Sequence, residues 1–166
     1  MICALKSALA QIGARQLQTK VQALHRVGMQ SLEEPPGISY RASILIVDDS
    51  AEWLDRVREI LNGQPEWQIV GEACDGFQGV RRAAGLNPDL VLLDIGMPVL
   101  NGLDAAEQIQ RISPLSKIVF LTQENDADVR TKALAAGADG YVLKVNAESE
   151  LLTTIRAVLS NGHRPS

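Results

Sequence analysis

The sequence predicts an α/β fold, a doubly wound five-stranded parallel sheet with helices on both faces. Two observations predict it. Between residues 43 and 160, five short apolar runs alternate with five amphipathic segments, and single helices between strands imply right-handed parallel crossovers. The run Leu90 to Leu93 is apolar throughout, ends in Asp94 and breaks into a loop holding Pro98 and Gly102. A run of that kind reads as a strand buried on both faces.

The elements follow in order. Residues 1–42 stand apart as an N-terminal extension. Leu5, Leu9, Ile12, Leu17, Val21, Leu24 and Val27 fall near helical spacing, with Lys6, Arg15, Lys20, His25 and Arg26 between them. That spacing predicts a basic amphipathic helix. Glu33 to Gly37, with Pro35 and Pro36, reads as a linker. The main domain is set at 43–160 and a tail at 161–166.

Ile44 to Val47 is the first strand, ending in Asp48 and Asp49. Ser50 is the expected N-cap of a helix running to Leu61, closed by Asn62 and Gly63. Trp67 to Val70 is the second strand. Asp75 and Gly76 turn into a helix over about Phe77 to Ala84, and Asn87 and Pro88 end that unit. The Leu90 strand leads to a helix over Leu103 to Ile112, stopped before Pro114. Lys117 to Leu121 is the fourth strand, ending at Thr122. An Ala-rich helix over Asp126 to Ala136 stops at Gly137. Tyr141 to Leu143 is the fifth strand, ending at Lys144, and Ala147 to Leu159 is the last helix.

Composition narrows the class. Apolar residues make 46% of the chain and charged residues 22%, as in an ordinary globular protein. No stretch of 18 apolar residues occurs, so no membrane span is expected. The two cysteines, Cys3 and Cys74, have no metal-binding or disulfide context, which fits a reducing cytoplasm. Cys74 is expected in the core or in a turn. Residues 1–42 carry five Lys or Arg against two Glu, a net of +3, while 43–166 carry eleven against eighteen, a net of −7. An acidic main domain is a poor direct ligand for nucleic acid.

The chemistry gathers at the carboxyl ends of strands, where open α/β sheets bind ligands. Asp48 and Asp49, Asp94, Thr122 and Lys144 close four of the five strands. On the second strand Glu72 is the nearest polar group to that edge. Each residue alone has an ordinary use, as a helix cap, a turn former or a solvated strand end. Three carboxylates at one edge repel unless a cation intervenes, and an all-oxygen site suits Mg²⁺ or another hard divalent ion such as Mn²⁺. Such an ion, a lysine and a hydroxyl together would bind a phosphoryl group. A carboxylate among them can attack phosphorus and become an acyl phosphate. Asp94 is the best nucleophile, because it stands alone on the central strand while Asp48 and Asp49 can hold metal. Trp53 reads as semi-buried packing. Asp48, Asp49 and Ser50 are the electrostatic opposite of a phosphate-cradling loop, which argues against a mononucleotide binder.

ILIVDDS, LVLLDIGMPVLNG, VFLT and AAGADGYVLK, in that order and spacing, make residues 43–160 resemble the receiver domain of bacterial two-component response regulators. The wording is closest to the NarL/FixJ class. The resemblance implies the flavodoxin-like strand order 2-1-3-4-5 and a phosphorylation-activated switch rather than a metabolic enzyme. It implies that Asp94 is the phosphoacceptor, served by a sensor histidine kinase and Mg²⁺. Asp48, Asp49, Asp94 and the main-chain carbonyl of Gly96 would be metal ligands. Thr122 and Lys144 would contact the phosphoryl group, and Thr122 with Tyr141 would form the switch. Gly96 and Glu124 stand where dephosphorylation is tuned. The output would be a protein partner, or a second copy, at the face of the fourth helix, fifth strand and fifth helix. Receivers often carry proline after the lysine, commonly with a cis bond; Val145 stands there. Six residues follow the last helix, so no DNA-binding output domain is expected within this chain, which would be either a single-domain regulator acting by protein contact or the receiver fragment of a longer transcription regulator.

Overall fold

The structure, a computed structural model, describes residues 40–160. The expected amphipathic helix, the Pro-rich linker and the tail at 161–166 lie outside the described residues. The elements run β1 (Ala42–Val47), α1 (Ala51–Leu61), β2 (Trp67–Ala73), α2 (Gly76–Leu86), β3 (Leu90–Leu93), α3 (Gly102–Ile112), β4 (Lys117–Thr122), α4 (Ala127–Ala135), β5 (Gly140–Leu143) and α5 (Ala147–Ser160). Between β5 and α5, Lys144–Asn146 makes a turn of 3₁₀ helix. No cis peptide bond occurs among the described residues. No helix among them is long and apolar enough to cross a membrane.

The five strands form one parallel sheet in the order β2-β1-β3-β4-β5, as the sequence leads one to expect. Alternation along the strands assigns the two faces. Ile44, Ile46, Leu90, Leu92, Val119, Leu121 and Val142 pack under α1 and α5 with Val57, Leu61, Leu151 and Ile155. Leu45, Val47, Val91, Leu93, Ile118 and Phe120 pack under the other three helices, with Ala83, Ala105, Ala106, Ile109 and Ala133. The four residues of β3 are no more than 1% exposed. A chain with so few aromatics fills these layers with aliphatic side chains.

Strand β2 and helix α2 each run three residues longer than the sequence suggests, and β1 starts two residues earlier, at Ala42. Strand β2 continues to Ala73 because its register on β1 shifts between Ile44 and Leu45, so that Gly71 to Ala73 still pair with Leu45 to Val47. Helix α2 begins at Gly76, capped by the Asp75 carboxylate on the Gln78 amide, and runs to Leu86 before Asn87 ends it at φ 44°. Cys74 lies in the bend between them, exposed and unpaired with any other described cysteine.

At the opposite edge of the sheet, two aspartates pin neighbouring strands. Asp89, just before β3, accepts from the Ser43 amide at 2.7 Å and from its hydroxyl at 2.6 Å. Asp139, just before β5, accepts from the Ile118 amide at 2.9 Å. Each carboxylate thereby takes up an N–H at the start of the next strand and fixes strand offset.

The loop from β3 to α3 holds the other end of Asp94. A Cβ on Gly102 would lie 1.9 Å from the Asp94 carbonyl oxygen and 2.8 Å from Ile95 Cα, so only glycine fits. Val99, in the same loop, is 87% exposed and sits at φ 69°, a left-handed conformation that a β-branched residue adopts at a cost. These two positions have opposite mutational signs. Val99→Gly is expected to stabilise by about 0.5–1 kcal/mol, the relief of strain less the entropy glycine adds to the unfolded chain. Gly102→Ala is expected to destabilise by about 1–3 kcal/mol through overpacking. Urea unfolding of the two variants checks both signs.

Candidate functional site

The carboxyl-terminal edge of the sheet brings together the residues that the sequence placed at strand ends. Asp48 follows β1, where its amide donates to the Ala73 carbonyl at 3.0 Å. Asp94 follows β3, with its amide on the Val47 carbonyl at 2.9 Å. Thr122 closes β4 and Lys144 opens the turn after β5. All four are buried, at 3%, 7%, 1% and 5% exposure, whereas Asp49 is exposed. A lysine at a solvated strand end would not be so enclosed.

Lys144 joins the two buried carboxylates. Its Nζ lies 2.7 Å from Asp48 Oδ2 and 3.4 Å from Asp94 Oδ2. Asp48 uses its other oxygen to accept from the Ser50 amide at 2.9 Å. Ser50, not either aspartate, caps α1 by accepting from the Trp53 amide. Asp48, Asp49 and Asp94 each offer an oxygen within 4.8 Å of the others. That is an all-oxygen donor set of the kind hard divalent cations take. Gly96 lies at the rim, where an added Cβ would meet only Asp94 Oδ2, at 3.9 Å.

Burial sets the electrostatics. It pushes the Asp48 carboxyl above its ordinary range, and the Asp94 charge adds to the rise; the Lys144 ammonium and the Ser50 amide pull it back. Three carboxylates against one ammonium leave the cluster at −2 when all are ionised, so it calls for a further cation.

The β4–α4 loop carries the second part of the site. The Glu124 amide donates to Thr122 Oγ1 at 3.2 Å. The Tyr141 hydroxyl, on β5, donates to the Glu124 carbonyl at 2.6 Å. Burial, then the Glu124 charge, raises the Tyr141 phenol above its usual value, so it stays a donor. Arg130 of α4 lies over the Tyr141 ring at 5.2 Å, and Phe120 packs beside it. The structure thus brings Asp48, Asp49, Asp94, Thr122 and Lys144 to one edge, and ties Glu124 to Tyr141 next to them. Glu72, the nearest polar group of β2, is engaged elsewhere by Arg58 at 2.5 Å. Trp53 packs half-buried against the core, as the sequence leads one to expect, and its ring also faces Lys144 Nζ at 5.1 Å, a contact that sequence reasoning missed. Its place in the first turn of the helix after Asp48 and Asp49 was the available signal.

A family model for the response regulator receiver domain matches residues 44–156. The nitrate/nitrite response regulator protein NarL of Escherichia coli K12 is 37% identical over 114 residues, which are 69% of this chain and 53% of that protein. The chain thus spans about half the length of that relative. Protein CcdB of Bacillus subtilis is 35% identical over 120 residues, covering 72% of this chain and 98% of that protein. The crystal structure of a LuxR-family two-component response regulator from Aurantimonas sp. SI85-9A1 superposes with a TM-score of 0.70 at 30% identity, over 73% of this chain and 86% of that one.

The raised Asp48 carboxyl gives a pH dependence with a definite sign. The folded chain holds that proton more firmly than the unfolded chain does. Stability of the metal-free protein therefore falls as pH rises from the unfolded carboxylate value of about 4 through the raised folded value. Asp48→Asn keeps an acceptor for the Ser50 amide and removes the titration. Its urea midpoints are expected to decline less steeply over that range than those of the unaltered protein; equal slopes would contradict the assignment. Lys144→Met, which strands two buried carboxylates, is expected to cost about 3 kcal/mol at neutral pH.

Proposed function

The chain belongs to the response regulator receiver domain family, and from that premise we propose that it is a phosphorylation-activated switch whose phosphoacceptor is Asp94. The carrying observation is the buried contact of Lys144 with both Asp48 and Asp94 at 2.7 and 3.4 Å. Receiver domains are signalling modules rather than metabolic enzymes, and the site favours one transfer over repeated turnover, because the nucleophile is itself a protein carboxylate.

Asp48, Asp49 and Asp94, with the main-chain carbonyl of Gly96, would hold Mg²⁺ or Mn²⁺. When bound, the ion would neutralise charge on the phosphoryl oxygens. A carboxylate oxygen of Asp94 attacks phosphorus, the donor's P–O or P–N bond breaks, and the donor leaves with its electron pair. A sensor histidine kinase is the proposed donor, with small acyl phosphates as substitutes. Lys144 already lies beside Asp94, so a short movement carries its ammonium from Asp48 to a phosphoryl oxygen. Thr122 accepts from Glu124 in the present state, which leaves its own hydroxyl hydrogen for the phosphoryl group.

That last step would convey the signal. Thr122 and Glu124 share one short turn, and Tyr141 is bonded to the Glu124 carbonyl. Drawing Thr122 toward phosphorylated Asp94 pulls this turn and releases the Tyr141 ring inward. The face formed by α4, β5 and α5 then changes for a protein partner or a second copy of the chain. Gly96 and Glu124 would flank the path of an attacking water and so set the lifetime of the acyl phosphate.

Incubation with acetyl phosphate and Mg²⁺ is expected to add one phosphoryl mass to the intact chain, and none to Asp94→Asn. An unaltered protein that takes no phosphoryl group from acetyl phosphate or from a histidine kinase would overturn this function.

A further inference from the structure

Trp53 takes no part in the transfer just described, yet it touches the cation of the site. Lys144 Nζ lies 5.1 Å from the centre of its ring, inside the reach of about 6 Å over which an aromatic face attracts an ammonium. The backbone fixes the ring's origin, because the Trp53 amide donates to the Ser50 cap at 3.4 Å. Three residues further along α1, Arg56 pairs with Glu148 at the start of α5. One side of α1 therefore holds both ends of the segment 144–148. The ammonium has three N–H groups. Asp48 and Asp94 lie within 2.7 and 3.4 Å of it, and the indole centre lies 5.1 Å away. With Lys144 only 5% exposed, water competes little, which is where such contacts are strongest.

We propose that Trp53 is a positioning residue of this site. Its indole face holds the Lys144 ammonium on the Asp48–Asp94 carboxylate pair, where the ammonium competes with a divalent cation for the same oxygens. The proposal rests on reading those carboxylates as the cation site. Without the aromatic face the ammonium is held less firmly and a divalent ion enters more easily. An aliphatic side chain of similar bulk can fill the space but offers no negative face to the charge, so the effect belongs to the ring and not to its volume.

The test separates the contact from the cation reading. The chain has two tryptophans, so Trp67→Phe leaves Trp53 as the sole indole emitter. In that background Lys144→Met is expected to change Trp53 emission, because the neighbouring charge is lost. By calorimetry with Mg²⁺ alone, Trp53→Leu is expected to tighten binding by about two- to fivefold. Trp53→Phe is expected to stay near the unaltered protein, and Trp53→Leu added to Lys144→Met to have no further effect. Emission indifferent to Lys144→Met would overturn the proposal. So would a Trp53→Leu effect of equal size with and without Lys144, or a Trp53→Phe protein that behaves like Trp53→Leu. If the unaltered protein binds no Mg²⁺, the cation reading fails and the emission result alone decides the Trp53–Lys144 contact.

Discussion

Lys144 brings a full positive charge to a place where it is 5% exposed, and the carboxylates of Asp48 and Asp94 make that burial tolerable. Removing one member of such a group leaves a buried charge uncompensated, which costs more than the pair contributes when intact. The requirement reaches outward. Asp48 must present one oxygen to the lysine and the other to the Ser50 amide, which starts α1 where it does. Asp94 must stand at the end of a strand whose four residues are almost fully buried, with Gly102 packed against its carbonyl. The parallel sheet is the frame that lets groups from β1, β3, β4 and β5 meet without any of them being close in sequence.

The same arrangement explains how a local charge change could travel. Close-packed protein interiors do not deform smoothly; they change by exchanging discrete contacts. Two contacts lie ready for exchange: Lys144 on Asp48, and the Tyr141 hydroxyl on the Glu124 carbonyl. Both lie next to Asp94 or to the turn after β4, and β5 links them through the backbone from Tyr141 to Lys144. Arg130 over the Tyr141 ring ties α4 into the same set. Helix α1 steadies the far side through Trp53 and Arg56.

Much of this was legible in the sequence, for a physical reason. Strands buried on both faces must be apolar throughout, so Leu90–Leu93 and Ile44–Val47 announce themselves, and a charge that ends such a run is conspicuous. That is why Asp48, Asp94, Thr122 and Lys144 could be placed at one edge from topology alone. What periodicity does not encode is distance across the sheet. The register shift beside Ile44 lengthens β2 beyond Val70, and no local pattern marks it. Asp89 and Asp139 look like turn residues, yet each accepts a strand amide more than twenty positions away. Val99 occupies a left-handed position that its own chemistry disfavours. Trp53 reads as packing because its helix spacing is apolar, and only the fold sets Lys144 before its ring.

A phosphoryl group on Asp94 is expected to take Lys144 from Asp48 and to free Tyr141 from Glu124. A crystal structure with Mg²⁺ and beryllofluoride, a mimic of the phosphoryl group, examines both exchanges at once. The expected result has Lys144 Nζ and the Thr122 hydroxyl on fluorine atoms, and the Tyr141 hydroxyl off the Glu124 carbonyl. Beryllofluoride seated on Asp94, with Lys144 still on Asp48 and Tyr141 still on Glu124, would contradict it.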